Sequence, residues 1–225
     1  MHGILERTPL DGSCPTISDV TAEADAQGVE LAAAEAAEIL ELVAAITSSP
    51  TWQRLVSNRV EGRRVAREEG FAVLLPVEGQ VIPLHGIFDV VADNGDGSLL
   101  VVDWKTSSSA ADEDDLVGRV ERDYSIQRDA YGFAALSGSL GQTSHDRVEV
   151  VHLYAERPDE PQAASFTSAD LKRLEVDLGL LARPLLEGDV PVAEKPWEGL
   201  CNGCPARGRL CSWAPEQTTG TTPPA

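Results

Sequence analysis

Asp103 and Lys105 stand two positions apart at the end of an apolar run, in LLVVDWKTSSS, residues 99–109. On a strand, residues i and i+2 share a face, so this carboxylate and ammonium lie together while Trp104 points the other way. Asp89 sits near the end of the preceding apolar run, in GIFDVV. The intervening DNGDGS is rich in Asn, Asp and Gly and reads as a hairpin turn, which makes the two runs antiparallel neighbours. Two carboxylates converging in a partly buried place repel unless a cation lies between them. Magnesium suits the role, because it takes a few carboxylates together with waters and a phosphate oxygen. The Trp104 carbonyl offers one more oxygen, and Lys105 would orient an attacking water or neutralise charge on phosphorus. The plain alternative for D-x-K is an ion pair at a strand end; an acid on the neighbouring strand weakens that reading without removing it.

The elements that must hold these groups are legible in outline. Residues 15–60 read as helical: TISDVTAEADAQG carries caps before acids, ELAAAEAAEILELVAAI is alanine-rich with helical apolar spacing, and PTWQRLVSNRV starts just after a proline. Strand-like runs follow in GFAVLLPV, QVIPLHGIFDVVA and GSLLVVDWK, then a polar acidic loop, SSSAADEDDLVG. Residues 122–138 read as a helix ending at glycine, RVEVVHLYA as a fourth strand, and TSADLKRLEVDLGLLARPLLEG as a capped amphipathic helix that Pro184 would kink. The expectation is an α/β or α+β fold, a mixed sheet of about four strands flanked by helices. The chain divides into a helical part over 1–66, a core over 67–190, a cysteine-rich segment over 191–213 and a disordered tail over 214–225.

LHGIFDVV followed by LLVVDWKT resembles the core of the PD-(D/E)XK nuclease superfamily, specifically its RecB/AddA-type branch, with a restriction-endonuclease-like core. That branch follows the D-aromatic-K-T strand with a helix carrying Q-x-x-x-Y, and YSIQRDAY supplies Gln127 and Tyr131. The resemblance gives this pair contact with DNA or support of the catalytic face; the alternative is core packing by Tyr131. It makes His2, in MHGILE, the first metal ligand, on a helix lacking its usual first turn, which suggests a fragment or a misplaced start. It also adds Glu68, in REEGF, as an upstream acid, ranked with Glu69 below the two aspartates. His85, His145 and His152 match no motif and are expected on strand faces.

Cys201, Cys204 and Cys211 form Cys-x₂-Cys-x₆-Cys, which in a cytosolic protein suggests metal before disulfides. The resemblance implies a structural [4Fe–4S] cluster slightly ahead of zinc and both ahead of an empty site, with Cys14 or a missing cysteine as the fourth ligand, or a three-cysteine remnant that binds zinc or nothing. Net charge is −19 over 225 residues, which argues against a uniformly basic nucleic-acid-binding surface but leaves room for a local groove or a site built from acids. No run is long enough to span a bilayer, no secretory pattern opens the chain, and no Walker loop is present, so a cytoplasmic protein without its own motor is expected. The resemblance implies a Mg²⁺- or Mn²⁺-dependent DNA exonuclease of double-strand-break repair and recombination, acting on single strands or ends beside a helicase motor in cis or trans. Asp89, Asp103, Lys105 and Glu68 would be its catalytic residues, and His2, Asp89, Asp103 and Trp104 its metal ligands. The rivals are a nuclease-like module that only binds DNA or a helicase, and a fragment of a helicase–nuclease with no independent role.

Overall fold

The computed structural model of the chain describes residues 1–106, 115–138, 140, 145–188, 196–197, 201–202, 204 and 206–220. They fall into two compact units, Met1–Leu181 and Ala182–Ala225. The first opens with four helices, α1 (His2–Arg7), α2 (Ile17–Ala26), α3 (Ala33–Ser48) and α4 (Pro50–Val60). Their starts are set locally. Asp19 accepts the backbone N–H and hydroxyl of Thr16 at 2.7 Å, Glu35 accepts the Ala32 N–H at 2.8 Å, and Ser49 caps α4 ahead of Pro50.

A five-stranded sheet follows in the order β1 (Val65–Val77), β2 (Gln80–Asp93), β3 (Ser98–Lys105), β4 (Arg147–Tyr154), β5 (Gln162–Thr167). All neighbours are antiparallel except β3 and β4. A parallel pair needs a crossover. Here it carries α5 (Leu116–Arg119), one π-helical turn (Val120–Tyr124) and α6 (Ser125–Leu136). After β5 comes α7 (Leu171–Glu187), with Pro184 inside it.

One sheet face contributes Val90, Leu100, Val102, Trp104, Val151 and Leu153 to a core shared with Ile4, Leu5, Val43, Trp52 and Leu55 of the N-terminal helices. The opposite face meets α6, which packs on β4 and β5. Gly132 permits that approach, because a Cβ there would come within 2.7 Å of the Phe166 ring.

The mixed α/β architecture agrees with the expectation, but the sheet has five strands rather than about four. QAASFT escapes the strand pattern because it is short, alanine-rich and lies at the sheet edge. The helix expected over 122–138 has a helical lead-in that begins at Leu116, where Asp115 accepts the Gly118 N–H at 2.8 Å. Most of the acidic loop before it, residues 107–114, lies outside the described residues. In the second unit, Pro215–Thr218 form a 3₁₀ turn inside the expected tail, and residues 221–225 lie outside the described set. Among the described residues no helix is long and apolar enough to cross a membrane.

Candidate active site

The site is built where two strands part. The β2–β3 ladder runs from Asp93 opposite Leu99 to Val90 opposite Val102 and stops there. One further step of that register would set Asp89 opposite Asp103. Instead β2 continues in partnership with β1, while β3 continues beside β4 as far as Lys105 opposite Tyr154. The backbone group freed at the fork is answered by a side chain: Trp104 N–H donates to Asp89 Oδ2 at 2.8 Å. The β1–β2 ladder also skips the step that would pair Glu68 with Asp89. Glu68 is exposed and has φ +48°, a left-handed conformation that costs a non-glycine residue free energy.

The expected faces are observed. Trp104 turns into the core, its ring 5.8 Å from that of Trp52. Asp103 and Lys105 share the other face, with Oδ2 and Nζ 2.6 Å apart and both side chains largely buried. Gln127 binds both partners: its Oε1 accepts from Lys105 Nζ at 2.7 Å and its Nε2 donates to Asp103 Oδ1 at 3.0 Å. The Tyr131 hydroxyl lies 2.9 Å from the Ile87 carbonyl and 3.3 Å from Asp103 Oδ1. Gln127 and Tyr131 are thus turned toward the acids; Tyr131 is buried and Gln127 half-buried. Tyr131 is wedged by Phe71 and Phe88, and Phe71 reaches it by lying over Gly86, where a Cβ would come within 2.7 Å of the ring. This gives the glycine of GIFD a physical reason.

His2 Nδ1 lies 3.8 Å from Asp89 Oδ2, close enough to act electrostatically but beyond a hydrogen bond. Its helix is well anchored: Ile4 and Leu5 are buried, and the Arg67 guanidinium donates to the carbonyls of Glu6 and Thr8. Glu69 is held by Arg64 at 2.7 Å. Burial, and then the charge of Asp103, push Asp89 up to about 6, against the Trp104 hydrogen bond and His2; Glu68 adds a smaller push.

These residues fit a divalent cation. The donors are hard oxygens, Asp89 carries charge that its neighbours do not fully answer, and Asp103 Oδ2 is buried with an ion-pair partner but no hydrogen bond of good geometry. Among the described residues no three His, Cys, Asp or Glu side chains stand together as a ready ligand set. Magnesium does not require one, since one or two carboxylates suffice when waters and a phosphate supply the rest. A thiolate cluster does require it. Among the described residues Cys14 is exposed, Cys201 buried, Cys204 exposed and Cys211 half-buried, all as free thiols, and no three of them stand together as a ligand set. A cavity of about 450 Å³ lined by Ile4, Arg7, Cys14, Asp19 and Glu23 contains none of the acids at the fork.

Two residues of the site went unidentified in the sequence. His152 is opposite Asp103 in the parallel register, fully buried, and pushed down to about 4 by that burial, hence neutral near pH 7. Tyr124 places its ring 3.8 Å from Lys105 Nζ. The signal for Tyr124 was its spacing to Gln127 and Tyr131, i, i+3 and i+7 on one helix face. His152 had none, because the β3–β4 pairing must be known first. His85 lies exposed on β2, and His145 falls just before β4.

The family model of the PD-(D/E)XK nuclease superfamily matches residues 1–211. None of the curated proteins compared matches the sequence. Among solved structures, the crystal structure of SSO0001 is similar at 16% identity and TM-score 0.31, over 79% of this chain and 74% of that one.

Proposed function

This chain belongs to the PD-(D/E)XK nuclease superfamily, and we propose that it is a deoxyribonuclease dependent on Mg²⁺ or Mn²⁺. The observation that carries the reading is the fork: Asp89 and Asp103 at the point where β2 leaves β3, with Lys105 one step further on the same face. A D-x-K ion pair alone would be unremarkable; a second acid beside it, lifted to about 6 by burial and by the charge of Asp103, makes this a place where a bound cation would be favoured. Bound there by Asp89 and Asp103, with His2 and the Trp104 carbonyl as further donors, a divalent ion would supply Lewis acidity and a more acidic water. The chain's own part is positional and electrostatic. Lys105, held by Asp103 and Gln127, sets a fixed positive charge where a phosphodiester oxygen gains negative charge. Gln127 and Tyr131 hold Asp103 against the sheet.

The resemblance of the motif series to RecB/AddA-type nucleases supports the finer reading. It points to exonucleolytic cleavage of single-stranded DNA in double-strand-break repair and recombination, in the cytoplasm, on strands delivered by a helicase motor. The test is degradation of end-labelled single-stranded, duplex and closed circular DNA with Mg²⁺, Mn²⁺ or EDTA, beside Lys105→Ala. Metal-dependent cleavage of linear single strands, reduced about 100-fold or more in the variant, is expected. Equal cleavage of circles would remove the exonuclease assignment. DNA binding by a folded chain without any cleavage would make it a binding module.

A further inference from the structure

We propose that Tyr124 is a positioning residue for Lys105, its ring forming the floor on which the ammonium rests. The inference rests on the nuclease reading for its kinetic consequence, though not for its geometry. Lys105 Nζ is held from three directions: Asp103 at 2.6 Å, Gln127 Oε1 at 2.7 Å and the Tyr124 ring centroid at 3.8 Å. The first two holds are interdependent, because Gln127 also donates to Asp103. Any cation that Asp103 accepts shares the carboxylate that now answers Lys105. An aromatic face is no ligand for a hard cation, so the Tyr124 contact is the one that metal binding does not contest.

The ring is supported from behind. The His152 ring lies 5.6 Å from it at an interplanar angle of 31°, and Tyr124 packs on the buried group Leu116, Val120 and Tyr154. His152 is uncharged near pH 7 and does not compete with Lys105 for the ring. The backbone device is the π-helical turn Val120–Tyr124, which ends at Tyr124 with φ −130° before α6 resumes. Such turns redirect a side chain within an otherwise helical segment. No described contact requires the Tyr124 hydroxyl for this role; the ring face does the work.

The experiment compares Tyr124→Leu and Tyr124→Phe in the full chain. In steady-state cleavage of single-stranded DNA, the leucine variant is expected to lose about 5- to 30-fold in kcat with KM unchanged, while phenylalanine stays near wild type. A leucine variant with normal kcat, a phenylalanine variant as impaired as leucine, or a loss confined to KM would overturn the proposal. The second readout needs no activity. Lysine is present only at 105, 172 and 195, so selective labelling resolves each side chain by NMR. The Lys105 ε-methylene protons should show an upfield ring-current shift in wild type and Tyr124→Phe, lost in Tyr124→Leu. An unshifted Lys105 in wild type sinks the inference, whereas a shifted Lys105 in a wild type that cuts no DNA sinks only the nuclease reading.

Discussion

Because burial and the charge of Asp103 hold the Asp89 proton up to about 6, while an unfolded chain releases it near 4, acid acts on this site in two opposed ways. Between those values the folded state binds a proton that the unfolded state does not. The metal-free protein therefore gains stability from this group as pH falls from 7 toward 5. Its thermal midpoint in EDTA should rise over that range, and Asp89→Asn should flatten the rise. The same proton competes with the metal, so cleavage should fall below about pH 6 in a pH–rate profile at fixed Mg²⁺. Glu68 permits a separate test. Its left-handed φ of +48° is relieved by glycine, so Glu68→Gly should be more stable by about 1 kcal/mol in urea denaturation. If its charge serves the site, the same variant should cleave DNA more slowly. The alternation of side chains along a strand was enough to set Asp103 and Lys105 together and Trp104 apart. Nothing in that alternation reveals a positive φ at Glu68, because it arises where the β1–β2 ladder skips a step.

At the scale of elements, the fork does the positioning, and α1 is tied to β1 by a cation as well as by its buried Ile4 and Leu5. Arg67 leaves β1 to bind the carbonyls of Glu6 and Thr8 while its guanidinium lies 5.5 Å from the Trp52 ring centre. Arg67→Ala should cost about 2 kcal/mol of stability. It should also weaken Mn²⁺ binding, measured by calorimetry, to the level of His2→Ala, because both changes remove the same imidazole from Asp89. From the sequence, α1 reads as a helix short of a turn; its anchoring depends on a contact between segments some sixty residues apart, which no local pattern encodes. The hairpins are different. The DNGDGS turn declares itself through residue type and forms where expected, and Glu78–Gly79 close the β1–β2 hairpin. The fifth strand and the π-helical turn were hidden for the same reason as α1. The strand needs β4 as its partner, and the π-helical turn lies in the crossover that joins the parallel strands β3 and β4.

Over the whole molecule, 37 acids face 18 lysines and arginines. Several of those cations are already engaged: Arg128 with Glu121 and Asp129, Arg64 with Glu69, Lys105 with Asp103. Binding of single-stranded DNA should therefore release few counterions. Fluorescence anisotropy of Lys105→Ala across a KCl series should give a slope of log K against log salt equivalent to no more than about three phosphates. A slope equivalent to about six or more would reveal a basic face. The Asp103–Lys105 pair has one further consequence, for the life of the polypeptide before it ever meets DNA. Many small metal sites are assembled only with their ion, and such chains stay unfolded until it arrives. Here the acid on β3 comes with its own internal counter-charge, two residues away in the same strand. On the proposed reading, newly made protein would complete its core without metal, and ion supply would govern when it cuts DNA and not whether the chain survives its own synthesis.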